Sequence, residues 1–360
     1  MTDVSAPVQL ALQFQREAAA TSPLYKRVLD AVLEDVAAGG PCGAVLAQVD
    51  PGLEPVSDAV TLRFLGGVHR IVLEGRAPDL AAHYPSAGGR FDVADPSGDL
   101  PDAFLATVDA NRDELVVALG RSVQTNEVGR SAALLVGYLA ISRATGLPLR
   151  VFEVGASAGL NLRWDQYRYE GGAGGSAWGH PSSPLRFTKR YVDPLPDLAV
   201  EAAVLERGGC DAQPIDPATE DGRLTLRSFV WPDQLDRFAA LEAALTIAEQ
   251  VPAVVDRADA GEWVDARLAD PHRGSATVIA HSVVWQYLPV PSRRRVLAAL
   301  EAAGARATAR APVAWLRMEP GEDAAESADV RVTMWPHGEE RLLAHAGYHG
   351  RPIRIAPEPE

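Results

Sequence analysis

The sequence predicts an α/β protein: an open, mostly parallel sheet with helices on both faces, closed by an antiparallel C-terminal hairpin and preceded by an α-helical N-terminal domain. Three observations predict it. Residues 1–146 carry apolar side chains at helical spacing. From about residue 149, short β-branched runs alternate with helical stretches, the pattern of strands crossing over through helices. Beyond "PVAWLRM", two strand-like runs flank Pro336-His337-Gly338, a hairpin signature.

In the first region, "TSPLYKRVLDAVLEDVAAGG" opens on Ser22 as a cap with Pro23 in the first turn, and Gly39 stops it. Leu24, Val28, Leu29, Val32, Leu33 and Val36 mark its apolar stripe. Similar patterns occupy roughly 57–74, 102–119 and 125–144. "LRVFEV" is the first strand of the second region, 147–360. "VPAVVDRA", "ATVIAHSVV" and "PVAWLRM" are further buried strands, with helices expected at 232–250, 260–269 and 291–304. The Gly/Pro/Ser-rich stretch at about 171–200 reads as an insertion over the site.

With 360 residues, two structural units are expected. The formal net charge of −14 repels phosphate backbones, and Lys26 and Lys189 are the only lysines, so nucleic acid is not an expected partner. The longest apolar run, "AALLVGYLAI", is too short for a membrane span, and the first residues lack the pattern of a signal peptide. Cys42 and Cys210 form no C-x-x-C, which fits a reducing cytoplasm. No His/Cys/carboxylate spacing suggests a metal.

The stretch "VFEVGASAGLNL" has two readings. Gly155-Ala156-Ser157-Ala158-Gly159 spells the G-x-S-x-G elbow of a serine hydrolase of the α/β-hydrolase type, with Ser157 as nucleophile. No HGGG-like donor loop precedes it, and no later histidine sits in an obvious loop before a final helix. Alternatively Glu153, one spacer and small residues at 155, 156, 157 and 159 form a bend that lets a nucleotide-like cofactor approach. That reading needs carboxylates at neighbouring strand ends. Asp211 in "GCDAQP" suits ribose hydroxyls, and Asp259, before Ala260, suits an adenine amino group.

This set resembles the class I S-adenosylmethionine-dependent methyltransferases. Their first motif is matched by Glu153, Gly155, Ser157 and Gly159, their G-x-D-x-x-P by Gly209 to Pro214, and their acid-alanine pair by Asp259-Ala260. The resemblance covers 149 to the end and implies a Rossmann-like methyltransferase sheet and S-adenosylmethionine as cofactor. It departs from the pattern at Ser157, where a glycine is usual, and in the long interval from Glu153 to Asp211. The insertion accounts for that interval; otherwise Glu170 is the ribose acid. "QTNEVGRSAALL", "GASAGLNLRWDQYRY" and "VWPDQLDRFAALEAAL" also look like a bacterial family known only as a domain of unknown function, which implies no activity.

Candidate chemistry follows strand ends. His281, after "TVIA", is the expected general base and a cofactor neighbour, or else a structural histidine. Glu319, after "AWLRM", is a second crevice acid or a solvated carboxylate. Trp285, Gln286 and Tyr287 wall an acceptor pocket or pack under the next helix. Asn126, Glu127 and Arg130 close over a polar substrate or cap a helix, and Asn161 lies beside the bend. The expected function is methyl transfer to a small-molecule acceptor. The alternatives are the Ser157 hydrolase and a non-catalytic binder of a nucleoside-type ligand.

Overall fold

A computed structural model describes residues 4–357 apart from 57, 95–97, 172–175, 193–195 and 322–326. The chain divides into two units: Met1–Thr125 with Thr219–Ala239, and Asn126–Ala218 with Ala240–Glu360. The sequence placed the division at 146.

The first unit is helical: α1 (Ala6–Ala18), α2 (Pro23–Ala38), α3 (Pro41–Leu46), α4 (Val60–Leu73), α5 (Pro78–Ala81), α6 (Leu100–Ala110), α7 (Arg112–Leu119) and, from the later segment, α9 (Glu220–Ser228). Helix α2 begins and ends as its residues dictate. The Ser22 hydroxyl accepts from the Tyr25 N–H, Pro23 needs no partner for its nitrogen, and Gly39 takes φ 73°. Leu24, Val28, Leu29 and Val32 are buried, while Leu33 and Val36 pack at the core's margin. The single helix expected over 102–119 is two, broken at Asn111, whose φ of −128° leaves the helical region.

Polar contacts explain why 219–239 belongs here. Asp233 accepts from the Ser22 hydroxyl at 2.7 Å and the Leu24 N–H at 3.2 Å. Gly66 has no side chain because the Phe229 ring would lie 2.8 Å from a Cβ there. Buried His69 donates from Nδ1 to the Ser228 carbonyl at 3.1 Å and accepts at Nε2 from the Ser86 hydroxyl at 2.8 Å.

The second unit contains α8 (Arg130–Thr145), α10 (Leu235–Gln250, from residue 240 on), α11 (Ala260–Arg267) and α12 (Val290–Arg306). Its strands are β1 (Leu149–Val154), β2 (Arg168–Glu170), β3 (Ala177–Gly179), β4 (Arg186–Phe187), β5 (Tyr191–Val192), β6 (Val204–Asp211), β7 (Val254–Arg257), β8 (Ala276–Ser282), β9 (Val313–Pro320), β10 (Ala328–Trp335), β11 (Glu339–Ala346) and β12 (Ile353–Ile355). The main sheet runs β5-β12-β11-β10-β9-β8-β1-β6-β7. Strands β7, β6, β1, β8 and β9 are mutually parallel, and β10 to β12 add antiparallel strands. Counted along the chain, the parallel part has the doubly wound order 3-2-1-4-5, with its switch point between β1 and β8.

The hairpin forms where expected, β10 and β11 meeting around Pro336–Gly338. The helix read over 125–144 starts at Arg130, so Asn126 and Glu127 precede it. It belongs with the sheet because Gly137 lets Leu316 of β9 approach to 2.1 Å of where a Cβ would sit. The insertion contributes β3, β4 and β5. The first two flank β2 in a small sheet, and Trp178 of β3 stacks on Trp164 at 5.1 Å, with Tyr138 of α8 on the other side of Trp164 at 4.3 Å. No helix among the described residues is long and apolar enough to cross a membrane.

Burial lowers the pKa of His69 to about 4, against an ordinary value near 6.5. The unfolded chain therefore takes up the proton first, and the stability from neutral His69 is intact above pH ~6.5 and lost as pH falls toward 4. The full effect is on the order of 3 kcal/mol. Urea unfolding at pH 7 and pH 4.5 is expected to show a smaller acid loss in His69→Gln than in the parent; equal losses exclude His69 as the acid-sensitive group.

Candidate functional site

Strand β1 ends at Val154, and the next five residues bend over the carboxyl edge of the sheet. Gly155, Ser157 and Gly159 have φ of 68°, 54° and 67°. Glycine adopts this region freely, whereas serine pays for it. The Ser157 conformation is held by two backbone bonds. Its N–H donates to Asp211 Oδ2 at 2.9 Å, and its carbonyl accepts from the Ile215 N–H at 3.2 Å. The Ala156 N–H donates to the Cys210 carbonyl at 3.0 Å. The glycine-rich bend and the end of β6 are thus in direct contact.

The small residues serve packing as well. A Cβ on Gly155 would lie 2.4 Å from Val284 Cγ2, and one on Gly159 would lie 2.9 Å from Val255 Cγ2. The space read from sequence as room for a ligand is, at these two positions, taken by valines.

Strand alternation sorts the expected site residues onto two faces. In β1, Glu153 is level with Gly209 and Ala280, while Val154 is level with Cys210 and His281. Phe152, Val154, Cys210 and Ile279 form a core with α11 and α12. Glu153 therefore points to the α8 face and His281 to the α11–α12 face.

On the α8 face Glu153 is 3% exposed and its Oε2 has no hydrogen-bond partner among the described residues. Burial pushes its pKa up to about 8; the Arg130 and Arg163 charges oppose the rise and Asp211 adds to it. It is surrounded by satisfied groups. Asn126 Oδ1 accepts from the Leu160 N–H at 3.0 Å. Asn161 Oδ1 accepts from the Ser131 hydroxyl at 2.7 Å, and its amide donates to the Glu127 carbonyl at 3.3 Å. Glu127 accepts from the Gly129 N–H at 3.0 Å and from His349 Nδ1 at 3.1 Å. Arg130 donates to the Tyr348 carbonyl at 3.0 Å and to the Ser282 carbonyl at 3.1 Å. Asn126, Glu127 and Asn161 thus hold the bend and the start of α8 together.

On the other face His281 is 1% exposed. Trp315 Nε1 donates to its Nε2 at 3.0 Å, which requires a lone pair there and puts the ring proton on Nδ1. That proton is donated to Glu319 Oε1 at 2.6 Å. Both ring nitrogens are thus engaged in hydrogen bonds, which leaves the expected general-base role of His281 without a free lone pair in this arrangement. Glu319 lies in β9, not in a solvated loop. Its Oε1 also accepts from the N–H groups of Val284 at 3.1 Å and Trp285 at 3.3 Å. Trp285 stacks on His281 at 5.1 Å, while Gln286 and Tyr287 are exposed.

The remaining acids separate. Asp211 lies at the bend, where Oδ2 accepts from the Ser157 N–H at 2.9 Å and Oδ1 from the Gln213 N–H at 2.8 Å, one backbone donor for each oxygen. Asp259 caps α11, accepting from the Gly261 and Glu262 N–H groups at 2.9 and 3.1 Å and from the Ser292 hydroxyl. Burial opposes its ionisation, but the Ser292 hydroxyl and these N–H groups hold its carboxyl below the usual range. Its expected adenine contact competes with this cap, and Ala260 is a buried first-turn residue. Glu170 lies in the small sheet and pairs with Arg186 at 3.3 Å. Sequence reasoning missed Trp315 and Tyr348; the alternation of Trp315, Arg317 and Glu319 along β9 was the available signal for the first, and nothing local marked the second. Among the described residues no cluster is suited to a metal ion.

Because folded Glu153 keeps its proton to about pH 8 while the unfolded carboxyl ionises near pH 4.3, stability falls as pH rises through that window. Glu153→Gln is expected to melt several degrees above the parent at pH 8 and level with it at pH 4.5. Equal melting at pH 8 contradicts the buried, unpaired carboxyl.

No curated protein and no solved structure matches the chain. A family model described as "uncharacterized protein conserved in bacteria" (DUF2332) matches residues 9–354. Because that match spans nearly the whole chain, from α1 to β12, the protein belongs to this bacterial family.

Proposed function

We propose that the carboxyl edge of the parallel sheet binds S-adenosylmethionine and that the protein transfers a methyl group to a small-molecule acceptor. The observation that carries the reading is Glu153: a buried carboxyl with an oxygen unpartnered among the described residues, beside the bend at the switch point of a 3-2-1-4-5 sheet. Burying a polar atom without a partner costs on the order of 1–3 kcal/mol, which a ligand donor would recover. Glu153, the backbone of 155–159 and Asp211, with one backbone donor on each oxygen, fit such a cofactor. Asp259 fits less well, since three donors already occupy it.

The cofactor, when bound, supplies a methyl group already activated on a sulfonium. The chain's own work is then alignment and exclusion of water. Arg130 ties Ser282 and Tyr348 together beside the bend, fixing the wall on the acceptor side. With His281 engaged on both nitrogens, Glu319 is the carboxylate in reach of an acceptor. The net charge of −14 suits a small molecule better than nucleic acid.

One observation favours a second reading. Ser157 sits at φ 54° in a strand-to-helix bend, as a hydrolase nucleophile does. The engagement of both His281 nitrogens opposes it, since His281 is then no base for Ser157.

Calorimetry with S-adenosylmethionine and S-adenosylhomocysteine tests the first reading. Both are expected to bind, and Glu153→Gln to weaken binding by about tenfold. Absence of binding at millimolar ligand overturns it, and binding without turnover on any acceptor favours the non-catalytic binder. Ser157→Ala separates the hydrolase: p-nitrophenyl acetate cleavage that falls by several orders of magnitude supports a nucleophilic serine, whereas the methyltransferase reading expects Ser157→Ala to keep cofactor affinity.

A further inference from the structure

Glu319 differs from the other carboxylates of this edge in its company. Its bonds come from backbone N–H groups and from His281 Nδ1, and among the described residues no Lys or Arg is ion-paired with it. The nearest guanidinium on its own strand, Arg317, pairs with Glu340 and stacks over Trp315 at 4.0 Å. The Glu319 side chain is nevertheless 14% exposed. Trp285 donates to it from its backbone, and Tyr287, two residues on, is 52% exposed. Tyr348 is brought to the same edge by Arg130, which bonds its carbonyl and that of Ser282. Glu319 and Tyr287 are the groups whose charge bears on the Tyr348 phenol, after burial, in raising its pKa. A carboxylate that forms no ion pair with Lys or Arg among the described residues, with aromatic residues at the same edge, is the chemistry that selects an organic cation.

We propose that Glu319, with Trp285, Tyr287 and Tyr348, forms the acceptor subsite and takes a small molecule bearing a protonated amine next to an apolar or aromatic body. The inference rests on the reading that ligands bind at this edge. The ammonium is a recognition handle: it donates to Glu319 and lies against the aromatic faces. Gln286, exposed between Trp285 and Tyr287, is outside this set.

The test uses the full chain with 2-phenylethylamine and its neutral counterpart 2-phenylethanol at pH 7, followed by calorimetry and by tryptophan fluorescence. The amine is expected to bind at least about tenfold more tightly than the alcohol, and added salt to narrow the gap. Glu319→Gln is expected to abolish the preference. Tyr287→Leu, at a half-exposed position where folding is not at stake, is expected to weaken the amine severalfold. Equal affinity of amine and alcohol for the parent, binding of neither, or an unchanged preference in a Glu319→Gln chain that melts normally overturns the proposal. If Glu319→Gln does not fold, unchanged amine binding in Tyr287→Leu overturns it. Titration with S-adenosylmethionine is read separately: its failure removes the methyltransferase reading, whereas equal amine and alcohol binding removes only the amine subsite.

Discussion

The bond from the Ser157 N–H to Asp211 Oδ2 is the constraint on which the site depends. A serine held at positive φ sits in a region that L-residues avoid at a cost of roughly 1–2 kcal/mol. A charged acceptor on the N–H offsets that cost. The same bond locks the end of β6 to the bend after β1, so the two segments are positioned by each other. Glycine at 155 and 159 then lets the segments after β8 and within β7 close on the bend through Val284 and Val255. The carboxyl edge at the switch point is therefore a packed structure in which each small residue faces a specific neighbour.

The pleat of β1 has a second consequence. Adjacent residues Glu153 and Val154 face opposite sides of the sheet, and so do the groups level with them in β8. The α8 face gathers Glu153, Arg130, Asn126, Glu127 and Asn161. The other face gathers His281, Glu319, Trp285 and Trp315. The two sets meet only beyond the strand ends, where Arg130 reaches the Ser282 carbonyl. Any ligand that touches both must lie across the edge, as ligands of doubly wound sheets do.

The carboxylates illustrate how environment assigns different parts to one functional group. Asp259 is saturated by a helix N-terminus and a hydroxyl and is held ionised. Asp211 spends one lone pair of each oxygen on backbone. Glu153 has an oxygen with no partner among the described residues and keeps its proton to about pH 8. Glu319 organises three donors on one oxygen while remaining partly open to solvent.

What the sequence by itself determined is local and periodic. Ser22-Pro23 and Gly39 set the ends of α2, alternation of β-branched runs and helices set the parallel strands, and Pro336-His337-Gly338 set the hairpin. The bend at 155–159 and a carboxylate at the end of the neighbouring strand were also legible as small residues and Asp211, but the bond between them, Ser157 N–H to Asp211, was not, since the sequence assigned Asp211 to ribose hydroxyls. Tertiary structure decided the rest. The tautomer of His281 depends on Trp315, a residue 34 positions away. The use of Asp259 as a cap depends on Ser292 in another helix. Assignment of α8 to the sheet and of 219–239 to the helical unit depends on Gly137 meeting Leu316 and on Asp233 meeting Ser22. Periodicity reports which side of an element is buried, but the partner that occupies a lone pair is fixed only when distant segments are brought within hydrogen-bonding reach.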